Sequence, residues 1–136
     1  MTNPANIILI DDDKVFNFIN KSIIIKAGFD SKISCFTEAE KALNMLDEFF
    51  ETEEAKNLSL IFLDINMPNM DGWEFLVEYN KFPGEKIKNL EIFILSSSID
   101  KNDIEKSKTI PIVTDFISKP LTVEKLQSIK ITFDKK

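Results

Sequence analysis

"LIFLDINMPNMDG", residues 60–72, decides how this chain reads. Four apolar residues, Leu60 to Leu63, run straight into a carboxylate at Asp64. A helix-breaking Met67-Pro68 and a turn-like Asp71-Gly72 follow. A short apolar run closed by turn signals is the pattern of a buried strand. A charge at the tip of such a strand is costly unless something pairs with it. Alone, Asp64 reads equally as the start of a turn or as a functional carboxylate.

Working outward, the same pattern recurs. "NIILI" (6–10), "SKISCF" (31–36), "EIFIL" (91–95) and "IVTDFI" (112–117) read as strands. Helical patterns separate them. Residues 14–29 carry apolar side chains at 15, 16, 19, 23 and 27, taken as one helix face, with Gly28 as the stop. Thr37 with Glu40 predicts a capping box, followed by an apolar stripe at 39, 42, 43, 46 and 50. A third helix starts near Asp71, carries Phe75, Leu76 and Tyr79, and ends at Pro83-Gly84. Residues 99–109 read as helix with few apolar anchors, and 122–130 as a short last helix. Residues 51–59 read as a polar helix end and loop, and the tail after residue 130 is ambiguous.

Strands alternating with helices imply a parallel sheet covered on both faces. Five such units predict the flavodoxin-like (βα)5 doubly wound order, 2-1-3-4-5. Ligands of such sheets collect at the carboxyl ends of the strands.

Bulk properties narrow the function. The 136 residues suit one domain, and 43% hydrophobic content with 12 Phe supports a real core. A net charge of −6 and the lack of a basic block argue against nucleic-acid binding. No apolar run approaches the ~20 residues of a membrane span. The start has no secretory signal pattern, and a single cysteine, Cys35, fits a reducing cytoplasm and is expected as a buried structural thiol. There is no histidine, which removes His-based triads, His metal sites and an internal phosphohistidine.

The strand ends carry the chemistry. The first runs into Asp11-Asp12-Asp13, the third into Asp64, the fourth into Ser96-Ser97-Ser98, and the fifth into Ser118-Lys119-Pro120. Each alone has a plain reading as helix cap, loop or solvated charge. Together they place acids, hydroxyls and one ammonium on a single rim. Carboxylates ~5–6 Å apart repel by roughly 3 kcal/mol at an effective dielectric near 20. Oxygen ligands on open loops suit Mg²⁺, or Mn²⁺, and Lys119 adds a second positive charge. An ionised aspartate so equipped can attack phosphorus and form an acyl phosphate.

The stretches "ILIDDD", "LIFLDINMPNMDGWEF", "IFILSS" and "DFISKPL" resemble the response-regulator receiver domain of bacterial two-component systems, from Ile7 to about Ile129. The resemblance implies that Asp64 is the phosphoacceptor. It implies that Asp11 and Asp12 hold the divalent ion together with Asp64 and the backbone carbonyl of Asn66. Ser96 matches the switch hydroxyl, Lys119 the cation that contacts the phosphoryl group, and Lys119-Pro120 a cis peptide. Phe116 matches the aromatic switch position without the frequent tyrosine hydroxyl. Asn66 and Ser98 match positions that tune phosphoryl lifetime. "SKTIPIVTDF" departs from the usual small-residue approach to the fifth strand.

On this reading, residues 1–136 are a single stand-alone receiver with a core of about 6–130 and no output domain. The donor is an external phosphohistidine on a sensor histidine kinase or a histidine phosphotransfer protein. The output is an unidentified protein, with no direct nucleic-acid or membrane contact, and the state is monomer or phosphorylation-dependent dimer. Two alternatives stay open. "ILIDDDKV" also satisfies the strand-then-DxDxV pattern of haloacid-dehalogenase-like phosphatases, with Asp11 as nucleophile and Asp13 as acid. A receiver-like adaptor that works without phosphorylation would keep the fold.

Overall fold

Every apolar run identified above is a strand: β1 (Asn6–Ile10), β2 (Lys32–Phe36), β3 (Ser59–Leu63), β4 (Leu90–Ser96) and β5 (Val113–Ser118). They pair in parallel in the order β2-β1-β3-β4-β5, as the alternation of elements predicts. The structure, a computed structural model, describes residues 3–97 and 100–134, with side chains described as far as Ile131. The helices are α1 (Lys14–Lys26), α2 (Ala39–Phe49), α3 (Gly72–Tyr79), a single turn α4 (Gly84–Ile87), α5 (Lys101–Lys108) and α6 (Val123–Asp134). A 3₁₀ turn, Glu53–Lys56, occupies part of the loop expected at 51–59.

β1 and β3 are buried at every position, so their sequences are continuously apolar rather than alternating. On one face of the sheet Ile8, Ile10, Ile61, Leu63, Ile92 and Ile94 pack with Leu46, Phe75 and Leu76 of α2 and α3. On the other face Ile7, Leu9, Leu60, Phe62, Phe93 and Leu95 pack with Ile24 and Ala27 of α1 and Leu126 and Ile129 of α6. Phe62 stacks on Phe93 at 5.5 Å there.

Several local expectations need correction. The capping box at Thr37 does not form. The helix starts at Ala39, its N-cap is Glu38, and Glu38 pairs with Lys41 at 2.9 Å instead. The third helix ends at Tyr79, before Pro83, with Asn80 as its C-cap, and Phe82 beyond it meets Phe50 at 4.9 Å. The last helix continues to Asp134. Cys35 is exposed, because β2 is an edge strand.

The largest correction concerns α1. Gly28 does follow its end, in the left-handed region at φ 91°. The buried face, however, is Asn17, Asn20, Ile24 and Ala27. Of the predicted face at 15, 16, 19, 23 and 27, Ala27 is buried and Ile23 packs against the core, whereas Val15, Phe16 and Ile19 lie exposed.

Candidate functional site

The site begins where the central strands end. The sheet ladder runs one residue past each: the Asp11 N–H donates to Phe36 O at 3.0 Å, and the Asp64 N–H donates to Ile10 O at 2.9 Å. Both acids are thereby fixed by backbone, and both are buried, at 4% and 5% exposure. Asp12 beside them is exposed. One carboxylate oxygen from each of Asp11, Asp12 and Asp64 lies within 4.8 Å of the others.

The loops hold this arrangement. Asp11 Oδ1 accepts from the Asp13 N–H at 2.9 Å, and Asp13 caps α1 by accepting from the Val15 and Phe16 N–H groups at 2.9 and 3.4 Å. Asn17 donates its amide to Asp11 O at 3.0 Å and to Phe36 O at 3.2 Å, tying the first loop to the end of β2. After Asp64, Asn69 adopts φ 67°, which asparagine tolerates. Asp71 and Glu74 then form a reciprocal capping box at 2.9 and 3.1 Å. Gly72 is required by close approach. A Cβ there would lie 2.6 Å from Ile65 Cα and 2.8 Å from Asp64 O. Any side chain would push on the backbone that aims Asp64.

Lys119 arrives from the fifth strand. Its N–H donates to Ser96 O at 2.8 Å, and the Lys119–Pro120 peptide is cis. Its ammonium lies 2.8 Å from Asp11 Oδ2 and 3.7 Å from Asp64 Oδ1. The ring of Phe16 covers it at 4.5 Å from the centroid.

Electrostatics follows from these positions. The Asp64 pKa is pushed up to about 6 by burial first and by the Asp11 carboxylate second, against the pull of Lys119 and the Asn66 N–H. That N–H donates to Asp64 Oδ1 at 3.3 Å. Three carboxylates against one ammonium leave excess negative charge at a largely buried rim. The donor set is all oxygen, which fits a hard divalent cation.

The structure thus gathers Asp11, Asp12, Asp64, Asn66 and Lys119. Ser96 is fully buried at the end of β4 and joins them through its backbone. Phe116 is half-buried on β5 beside Ile94 of β4, packed against the cluster that contains Ile94. Ser98 lies outside the described residues. Asn17 carries no role in the sequence reading, Phe16 is assigned there to an apolar helix face, and Gly72 to a turn. A polar residue amid an apolar helical run was the available signal for Asn17. Nothing local marked Phe16, since its partner is far along the chain.

A five-stranded doubly wound sheet with an acid cluster and a lysine at its carboxyl rim is the arrangement that the resemblance to a receiver domain implies. Residues 7–130 match the Response regulator receiver domain family, and the chain belongs to it. It is 26% identical to Response regulator Rcp1 of Synechocystis over 74% of this chain and 67% of that protein. Two other curated relatives are longer, and the chain spans 33% and 18% of them. A two-component response regulator structure from Cytophaga hutchinsonii superposes with TM-score 0.88 at 30% identity, covering 98% of this chain and 99% of that one. A CheX-CheY-BeF3-Mg complex from Borrelia burgdorferi superposes with TM-score 0.74 at 25% identity, over 96% and 90% of the chains. The protein is a receiver of two-component signalling. No helix among the described residues is long and apolar enough to cross a membrane.

Proposed function

We propose that Asp64 accepts a phosphoryl group from an external phosphohistidine in a reaction that needs Mg²⁺ or Mn²⁺. The observation that carries this reading is the 4.8 Å cluster of Asp11, Asp12 and Asp64 with Lys119 at its edge. A divalent ion held by these acids and the Asn66 carbonyl would neutralise charge on the transferring phosphoryl group. A pKa near 6 leaves Asp64 largely ionised at neutral pH, so no base is required. A carboxylate oxygen of Asp64 bonds to phosphorus. The P–N bond to the donor imidazole breaks, and its electron pair stays on that nitrogen, which takes up a proton. Lys119 faces Asp64 and stabilises the oxygens of the arriving group. Water later attacks phosphorus, releasing phosphate and restoring the carboxylate. Ser96 and Phe116 are the switch residues on this reading, with Asn66 and Ser98 setting lifetime.

The donor surface is α1. Its outward side chains Val15, Phe18, Ile19 and Ile25 are 64%, 70%, 43% and 58% exposed. The helix carries Lys14, Lys21 and Lys26 and no acid, in a chain of net charge −6. A partner helix with an apolar stripe flanked by acids fits that face, whereas the same α1 face of a second copy presents like charges. The phosphatase alternative is disfavoured, because Asp13, its required acid, caps α1.

The test is intact-mass spectrometry after incubation with Mg²⁺ and acetyl phosphate. The protein should gain one phosphoryl group, and Asp64→Asn should gain none. Labelling of the Asn variant places the acceptor elsewhere.

A further inference from the structure

We propose that Phe16 is a positioning residue for Lys119, holding its ammonium at the Asp64 side of the acid cluster through the face of the aromatic ring. The inference rests on the phosphoacceptor reading of Asp64 and deepens it. Among the described residues, three groups lie at the ammonium: Asp11 Oδ2 at 2.8 Å, Asp64 Oδ1 at 3.7 Å and the Phe16 ring centroid at 4.5 Å. The lysine side chain is only 10% exposed. A ring face carries partial negative charge, and its attraction for a cation grows as water is excluded.

The backbone of Phe16 is tied to the site. Its N–H donates to Asp13 Oδ1 at 3.4 Å, and the Asp13 N–H donates to Asp11 Oδ1 at 2.9 Å. Asp11, Asp13, Phe16 and Lys119 therefore form a closed circuit of contacts. It links the start of α1 to the loop after β5. The division of labour within it is informative. Asp11 faces both Lys119 and the other two acids, so its charge is shared. Phe16 carries no charge that a cation at the acids would draw away. The ring is the contact that keeps the flexible lysine stem directed at Asp64 when Asp11 is otherwise engaged.

This also accounts for an apolar side chain that the core does not use. Phe16 is 36% exposed and belongs to neither hydrophobic cluster. Its outer edge meets solvent and its inner face meets the ammonium.

The experiment separates ring electronics from bulk. Phe16→Leu keeps an apolar side chain and removes the ring; Phe16→Trp keeps a stronger ring. Site-specific mono-, di- and trifluorinated phenylalanine at position 16 changes only the charge on the ring face. The rate of Asp64 labelling by acetyl phosphate with Mg²⁺ should fall about threefold to tenfold in Phe16→Leu. It should stay near the parent rate in Phe16→Trp and drop stepwise along the fluorinated series. A wild-type rate in Phe16→Leu, or a flat fluorinated series, overturns the role, since packing alone ignores ring charge. A second readout needs neither metal nor donor. The Lys119 ε-methylene protons should show an upfield ring-current shift in the parent that Phe16→Leu abolishes. No shift in the parent overturns the contact itself. If the parent shows the shift but no variant, parent included, is labelled at Asp64, the phosphoacceptor reading has failed and the positioning role falls with it.

Discussion

Helices α1 and α2 are neighbours in sequence and carry similar apolar patterns, yet they sit in the fold in opposite ways. In α2 the stripe points inward: Ala39, Ala42 and Leu46 are buried, with Leu43, Phe49 and Phe50 packed beside them. In α1 the buried face includes Asn17 and Asn20, while Val15, Phe18, Ile19 and Ile25 face out. α2 is placed by hydrophobic burial. α1 is placed by the site, because Asn17 must reach the carbonyls of Asp11 and Phe36 and Phe16 must reach Lys119. The difference teaches that periodicity finds a helix but does not choose its inward face when polar contacts fix the rotation.

The largest expected effect falls on the conventional helix. Leu46 is fully buried, so Leu46→Ala should lower unfolding free energy by about 2–5 kcal/mol through lost burial and a residual cavity. Urea denaturation followed by circular dichroism measures it. The folded fraction should still be labelled at Asp64. A loss of labelling without a loss of stability would place α2 in the site and erase the contrast.

The site should oppose stability where the core supports it. Asp64 is raised from 3.8 to about 6 in the folded state, so between these values the folded chain binds more protons than the unfolded one. Stability contributed by this group is full below about pH 4 and is lost as pH rises through 6. In chelator-treated protein at pH 7.5, Asp64→Asn should therefore be more stable than the parent by up to about 3 kcal/mol. The gap should close as pH falls toward 4. Denaturation midpoints at several pH values test the sign. A parent more stable than the variant at neutral pH would mean that Lys119 outweighs burial and the Asp11 charge.

This contrast marks what the sequence could reveal. Strand positions and their order were legible because buried parallel strands are continuously apolar and bounded by turn residues, as in "NIILI" and "LIFL". Asp11, Asp12, Asp64 and Lys119 were legible because each ends a strand, and the fold gathers strand ends at one rim. The Thr37–Glu40 motif misplaces the start of α2 by one residue: Glu38 is the N-cap, makes no side-chain capping hydrogen bond, and pairs its exposed carboxylate with Lys41. The rotation of α1 was missed because it depends on two backbone carbonyls, one of them at Phe36 in another strand. Gly72 was visible as a turn residue, but its contact with the Asp64 carbonyl exists only in three dimensions.

Asn17 tests that rotation directly. Asn17→Ala removes the amide hydrogen bonds to the Asp11 and Phe36 carbonyls, of which the first is buried, and should cost about 1–3 kcal/mol. It should also loosen the loop that carries Asp11 and Asp12, and so weaken Mg²⁺ binding measured by calorimetry. Leu46→Ala should leave that affinity unchanged. Equal losses in both variants would mean that the site merely follows global stability.

The smallest effect on stability belongs to the outward face of α1. Phe18 is 70% exposed, so Phe18→Ser should change unfolding free energy by no more than about 0.5 kcal/mol. Its consequence should appear only in the presence of a phosphohistidine protein. The rate from that donor, divided by the rate from acetyl phosphate, should fall. Raising salt should lower the same ratio in the parent, because the lysines flanking the stripe attract an acidic rim through screened charges. A ratio that ignores both Phe18→Ser and salt would move the donor surface off α1. The apolar outward face would then need another occupant, whereas the buried asparagines would keep their explanation in the site.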